Sequence, residues 1–142
     1  MPSAGKRLDA NLSCTQDLSS SFKAEITKRE SGNIIYLAPW AWDRYADPLR
    51  YRTVKAGIIA LTQALAKRMA AARINVNCLV PGYIGDVKFS GTEGGKISEI
   101  MDHIPMGCLG DVPDIVKTAY FLISDSSKYL TGQVLEVAGG VD

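Results

Sequence analysis

The sequence predicts an α/β fold, a parallel sheet of about three strands flanked by helices. Three observations predict it. Short apolar runs rich in β-branched and aromatic residues occur at 33–38, 73–80 and 134–137. Between them lie longer stretches with the three-to-four-residue periodicity of helices, and strands alternating with helices argue for a parallel sheet covered by helices. The chain of 142 residues, 46% hydrophobic and 22% charged, is about one globular domain with enough apolar material for a core.

The elements follow in order. Residues 11–29 read as a helix, with Leu18, Phe22 and Ile26 on one face and polar residues opposite. Ser31-Gly32 stops it, with Gly32 as the expected C-terminal cap. Residues 33–38 (NIIYLA) read as a buried strand. The loop 39–48 holds Trp40, Trp42 and Tyr45, three aromatics that form either a packed lid or a pocket wall. Residues 49–71 give the strongest helix. Val54, Ile58, Leu61 and Leu65 make its apolar stripe, and Gly57, Ala60 and Ala64 make a small-residue stripe that would admit another helix closely. Residues 73–80 (RINVNCLV) suit a strand ended by Pro81-Gly82. A polar, glycine-rich loop spans 82–95, with Gly91, Gly94 and Gly95 as its mobile points. A short helix is expected over 96–103. A second helix is expected over 113–124, with Pro113 in its first turn and an apolar face of Val116, Ala119, Tyr120 and Leu122. The last strand is 134–137, followed by Gly139-Gly140. The first strand would have an open apolar edge if nothing precedes it, which is a pairing liability. The chain therefore reads as part of a larger sheet.

Composition narrows the function. The formal net charge is +1, and no basic stripe or aromatic-basic interleaving points to nucleic acid. No apolar run approaches the roughly 18 residues of a membrane span, and residues 1–11 show no secretory h-region. Cys14, Cys78 and Cys108 are an odd number without metal-ligand spacing, so they read as packing residues in a reduced, cytoplasmic setting, with no metal expected. The single histidine, His103, excludes a two-histidine site within one chain and reads as a surface or loop residue.

The stretch that carries chemistry is Tyr51-Arg52-Thr53-Val54-Lys55. Four residues apart on a helix, Tyr51 and Lys55 share a face. A lysine ammonium beside a phenol favours the phenolate and draws the tyrosine pKa below its usual value of about 10, so that it can exchange a proton near neutral pH. Spacing alone fits equally an ordinary helix with two exposed polar side chains, the commoner case for so short a motif. The surrounding segments change that balance.

Ser31-Gly32-Asn33-Ile34-Ile35, Tyr51-x-x-x-Lys55-Ala56-Gly57, Ile74-Asn75-Val76-Asn77, Pro81-Gly82-Tyr83-Ile84, Ile104-Pro105-Met106-Gly107 and Leu130-Thr131-Gly132-Gln133 with Gly139-Gly140 occur in this order. Together they resemble the short-chain dehydrogenase/reductase family over essentially the whole chain. The resemblance implies a Rossmann-like sheet of which residues 1–142 form a single truncated domain, the C-terminal half with the last three strands. It implies Tyr51 as general acid/base and Lys55 as the lysine that lowers its pKa and holds the nicotinamide ribose. Asn11 matches the asparagine that supports a water chain to the lysine, although it also fits an N-cap of its helix. Pro81, Gly82 and Ile84 match the loop whose backbone contacts the nicotinamide amide. The implied cofactor is NAD or NADP, and the implied partners are a small-molecule substrate and a second chain, with the helices 11–29 and 49–71 as the dimer-forming pair.

Departures from the family pattern are as informative as the matches. No G-x-G-x-x-G or G-x-x-x-G-x-G turn for the pyrophosphate lies in the sequence. Ala38 and Pro39 stand where the family has its serine, and losing one such donor costs roughly 100- to 1,000-fold in rate. Trp40 and Trp42 follow directly and would either line an apolar substrate pocket with Ala38 or merely pack. Asp86 stands where the family often has threonine, and Ala138-Gly139-Gly140 replaces the usual D-G-G. Three functions remain open: hydride transfer between a nicotinamide and a small carbonyl or alcohol, redox-inactive proton-transfer catalysis as in an isomerase, cyclase or dehydratase, or a non-catalytic dimerising scaffold.

Overall fold

The structure, a computed structural model, describes residues 17, 31–38, 48–85 and 95–141; for residues 48–51 and 95–97 it describes the backbone alone. Its centre is a parallel sheet of three strands in the order β1 (Gly32–Leu37), β2 (Ile74–Pro81), β3 (Val134–Val137). Gly32 to Leu37 pair in step with Ile74 to Leu79, and Cys78 to Pro81 with Val134 to Val137. Among the residues described from 31 onward, three helices accompany the sheet: α1 (Pro48–Met69), α2 (Gly95–Met101) and α3 (Val112–Ile123). The α/β class expected from the alternation of periods is therefore the observed one, with boundaries displaced by one or two residues.

Those displacements have causes. Gly32, expected to cap a helix, is the first residue of β1 and pairs with Ile74, because its N–H donates to Arg73 O (3.4 Å). The long helix ends at Met69 and tightens into a 3-10 turn over Ala70–Ala72. Arg73, expected to begin the strand, instead takes a left-handed conformation (φ 55°, ψ 33°), and its N–H donates to Ala70 O (2.9 Å). That single residue turns the chain from α1 into β2 at a local cost of roughly 1–2 kcal/mol.

α1 seats on β2 through two apolar clusters. Val54 and Ile58 pack with Ala38, Cys78 and Val80; Ala66 and Met69 pack with Ile74 and Val76. The expected stripe of Val54, Ile58, Leu61 and Leu65 holds for its first two members, while Leu61 and Leu65 are only half-buried flanks. The seam instead continues through Thr62, fully buried because its hydroxyl donates to Ile58 O (2.7 Å), to Ala66 and Met69. On the small-residue stripe, Ala60 and Ala64 are exposed and Gly57 is half-buried.

The opposite face of the sheet is covered differently. Strand alternation turns Asn33, Asn75, Asn77 and Leu79 away from α1, and Asn33 Nδ2 donates to Ile123 O at the end of α3 (3.5 Å). α3 begins with a reciprocal cap: Asp111 accepts from Asp114 N (3.0 Å), and Asp114 accepts from Asp111 N (3.0 Å). The apolar face expected from Val116, Ala119, Tyr120 and Leu122 is buried only in part, with Ala119 half-buried. Leu122 is fully buried, whereas Val116 and Tyr120 are 57% and 70% exposed. The helix docks through Ile115, Thr118, Ala119 and Leu122 and turns the 116–120–123 line to solvent.

The first strand, expected to be buried, is half-exposed. Among the described residues no strand pairs with its outer edge, and Leu37 is 60% exposed. His103 lies exposed in the turn after α2, as expected. Cys78 is buried in the α1 cluster, but Cys108 is exposed, because it sits in a turn rather than on a packed element; Cys14 lies outside the described residues. The expected helix over 11–29 and the loops 39–47 and 86–94 lie there too, apart from Asp17, which is helical. Among the described residues no helix is long and apolar enough to cross a membrane, and no group of three or more potential metal ligands occurs.

Candidate functional site

All three strands point their carboxyl ends in one direction, and in open parallel sheets ligands bind outside that end. Here the ends are Ala38 after β1, Pro81-Gly82 at β2 and Val137-Ala138 at β3. Three of the sequence motifs meet there. Gly82 N donates to Val137 O (2.9 Å), Gly110 N to Tyr83 O (2.9 Å) and Gly85 N to Gly110 O (2.8 Å), which makes an isolated parallel bridge between Ile84 and Gly110. Met106 N donates to Gly139 O (3.0 Å), so the Ile104–Gly107 turn is fastened to the glycine pair after β3. A Cβ on Gly82 would stand 2.6 Å from Ala138 Cα, and one on Gly139, at φ +65°, 2.8 Å from Ile104 Cγ2. These glycines are required by close backbone approach.

The Ile84 bridge has a consequence for the loop. It uses Tyr83 O and Gly85 N, the groups flanking Ile84. In a parallel ladder the residue between two such groups directs its own N–H and C=O to the other side. Ile84 therefore presents its peptide groups away from Gly110. Pro81 ends β2 opposite Val137 and cannot donate.

Lys55 stands one position after buried Val54, near the amino end of α1. Its Nζ donates to Glu136 Oε1 at 2.9 Å. Glu136 lies on β3 opposite Val80, one residue before the strand ends, and on the same side as Val134, which packs in the α1 cluster. The ion pair thus joins α1 to β3 across the end of β2, with the lysine side chain 23% exposed and the glutamate 40%. The Cys78 thiol lies beneath it. Burial pushes that thiol above its ordinary pKa, against the opposing effects of the Ala38 backbone, the Thr62 hydroxyl and the Lys55 charge, with Glu136 adding to the rise. Buried in the α1 cluster, Cys78 serves as a packing group.

Tyr51 lies four residues before Lys55 on the continuous backbone of α1, as the spacing requires. Ala38 is fully buried against Val54 and Ile58, and its N–H donates to Leu79 O (2.9 Å). Asn11, Pro39, Trp40, Trp42 and Asp86 lie outside the described residues. The structure thus brings Lys55, Ala38, Pro81, Gly82 and Ile84 to one end of the sheet, with the backbone of residue 51 on the same helix.

Two further motifs have a different task. Asn77, 1% exposed, donates from Nδ2 to Leu130 O (2.9 Å) and accepts from Gln133 N (3.0 Å). Thr131 Oγ1 accepts from Val76 N (3.0 Å), and Gly132 N donates to Val76 O (2.7 Å). The Asn-Val-Asn run in β2 and the Leu-Thr-Gly-Gln run before β3 are one hydrogen-bonded joint that sets the register of the sheet. Sequence reasoning missed Glu136, whose signal was one acid in the otherwise apolar run Val134-Leu135-Glu136-Val137.

Comparison with known proteins places these features. A family model described as enoyl-(acyl carrier protein) reductase matches residues 4–142. The 3-oxoacyl-(acyl carrier protein) reductase of Chlamydia pneumoniae is 38% identical over 135 residues, covering 94% of this chain and 54% of that protein. The BbsD subunit of a substituted succinyl-CoA dehydrogenase from Thauera aromatica is 33% identical over 133 residues, with the same coverages of 94% and 54%. A solved structure from Beutenbergia cavernae, described as an NAD(P)-dependent gluconate 5-dehydrogenase with NADP bound, superposes with a TM-score of 0.81 at 33% identity, over 94% of this chain and 55% of that one. The chain spans about half the length of the curated relatives it matches. A family match along nearly its whole length, joined to a parallel sheet with the Pro81–Ile84 loop at its strand ends and Lys55 on the helix packed against it, shows that the chain belongs to the short-chain dehydrogenase/reductase family.

Proposed function

We propose that this chain carries the proton-handling part of a nicotinamide-dependent oxidoreductase site acting on a small carbonyl or alcohol. The observation that supports it is the position of Lys55: one helical turn after Tyr51, its ammonium meets Glu136 one residue before the carboxyl end of β3. The residues present fit a nicotinamide riboside in kind. Lys55 already donates to an oxygen acceptor at that end, as it would to a ribose hydroxyl, and Ile84 directs backbone groups away from its bridge, as an amide partner needs. A bound nicotinamide supplies or accepts the hydride. On this reading Tyr51 gives or takes the proton at its hydroxyl, Lys55 keeps that phenol acidic through its charge, and Asn11 supports the water that reconnects the lysine to solvent. Pro81 and Gly82 hold the loop to β3. Trp40 and Trp42 would form an apolar wall around the substrate beyond Ala38. The glycine-rich pyrophosphate turn is not among these 142 residues, so the site here is the C-terminal half of a single family domain, and affinity for NAD or NADP in the isolated chain is weak. A second copy is the proposed partner, supported by the exposed Leu37 edge of β1 and by exposed Ala60 and Ala64 on α1.

The test is a titration of the purified chain with NADPH and NADH, followed by tryptophan fluorescence, with sedimentation velocity of the same samples. Saturable binding that weakens at least tenfold in Lys55→Ala, with a carbonyl reduction lost in Tyr51→Phe, is the expected result. No binding up to millimolar by a folded chain would sink the hydride-transfer reading. A cofactor-free reaction lost in Tyr51→Phe would then favour proton-transfer catalysis, a reading to which the missing hydroxyl at buried Ala38 already lends weight.

A further inference from the structure

We propose that Glu136 is a positioning residue that withholds the Lys55 ammonium from ligands at the strand ends, so that an anionic, ribose-bearing nucleotide must displace it to bind. This rests on the reading above only for the identity of the ligand. The geometry is independent of it. Glu136 Oε1 takes a hydrogen bond from Lys55 Nζ at 2.9 Å, and it does so from β3, a different element, 81 residues away in sequence. The backbone on both sides is fixed. Lys55 follows Val54, which is buried against β2, and Glu136 sits in register opposite Val80 between two paired strand residues. The pair therefore does not arise from two long side chains drifting together; each stem leaves a packed element and meets the other across the end of β2.

Magnitude decides what the pair can do. With 23% and 40% of the two side chains exposed, water screens it, and such pairs add little to stability. Its effect on a ligand is larger than its effect on the fold. A nucleotide arriving at Lys55 meets an ammonium already engaged and a carboxylate that repels its phosphates. Removing the carboxylate charge at constant shape frees the donor and removes the repulsion together. No other acid among the described residues pairs with Lys55.

Glu136→Gln, Lys55→Ala and the double variant of this chain are compared in two measurements. The first is the rate of trinitrobenzenesulfonate modification of Lys55, read at the peptide level against Lys67, an exposed lysine of the same helix. The second is the NADPH dissociation constant. In Glu136→Gln, Lys55 should react about fivefold faster while Lys67 is unchanged, and NADPH should bind about fivefold more tightly, the scale set by an exposed ion pair. Glu136→Asp should keep the wild-type labelling rate within about twofold. In the Lys55→Ala background the glutamine should change the dissociation constant by less than about twofold, because its effect acts through the lysine. A Glu136→Gln variant that only melts earlier, with Lys55 labelling and NADPH affinity unmoved, overturns the inference. If no variant binds NADPH, the nucleotide reading fails, and the labelling rate alone decides this one: faster labelling of Lys55 upholds Glu136 as the group that withholds it, and equal rates overturn it.

Discussion

The two faces of the sheet are held by different physics. On the α1 face, β2 presents Ile74, Val76, Cys78 and Val80 to Val54, Ile58, Ala66 and Met69, and contact is almost wholly apolar. On the α3 face, the same strand presents Asn75, Asn77 and Leu79, and much of the attachment is by amide hydrogen bonds to the chain at 128–133. The first face buries area and tolerates small shifts. The second fixes register, because a buried amide has two partners at fixed positions. The lesson is that β2 is central in function as well as in order: one side of it anchors the helix that carries Lys55, and the other sets where β3, with Glu136, must lie.

The comparison can be broken most forcefully on the apolar side. Ile58→Ala removes a buried side chain from the seam beneath Lys55 and should destabilise the chain by about 2–5 kcal/mol, read by urea unfolding. A loss below about 1 kcal/mol would mean that the α1 seam is not the main anchor. Asn77→Ala tests the polar side. It strips partners from Gln133 N and Leu130 O and should cost about 1–3 kcal/mol. Hydrogen exchange should show faster exchange at residues 130–135 than at α1, and uniform acceleration would refute a local joint.

The smallest effect concerns the cap of α3, which sharpens the comparison by acting on one face alone. The hydrogen bond donated by the Asp111 N–H holds the Asp114 carboxyl below the ordinary carboxylate range, and the Lys117 charge acts in the same direction. A group whose pKa is lower folded than unfolded contributes stability above its unfolded value, near 3.9, and loses it as pH falls through the folded value. Fraying of α3 should therefore begin below about pH 4. In Asp114→Asn that dependence should vanish. Unchanged pH dependence in the variant would remove the cap from the account.

Much of the fold was legible because period is a strong signal. The runs at 33–38, 73–80 and 134–137 differ from the helical stretches in spacing, and buried Val54 and Ile58 follow directly from it. What escaped was decided by partners distant in sequence. Thr62 looks polar until its own helix carbonyl satisfies it. Val116 and Tyr120 look like core, yet α3 turns both to solvent and rests on Ile115, Thr118, Ala119 and Leu122. At the site, Lys55 was legible as half of a spaced pair, whereas Glu136 was not, because nothing local to Val134-Leu135-Glu136-Val137 says what stands opposite. Asn75 and Asn77 were seen as part of a pattern, but their role as a joint required residues more than fifty positions away.

The close approach of Gly82 to Ala138 bears on how this chain can change over generations. Any side chain at 82 would push backbone against backbone, so drift at that position is closed unless 138 recedes at the same time. The mouth between the ends of β2 and β3 is thus inherited as a fixed gauge. New preferences for what enters it must arise from residues around its rim, where side chains end in solvent and can be exchanged one at a time.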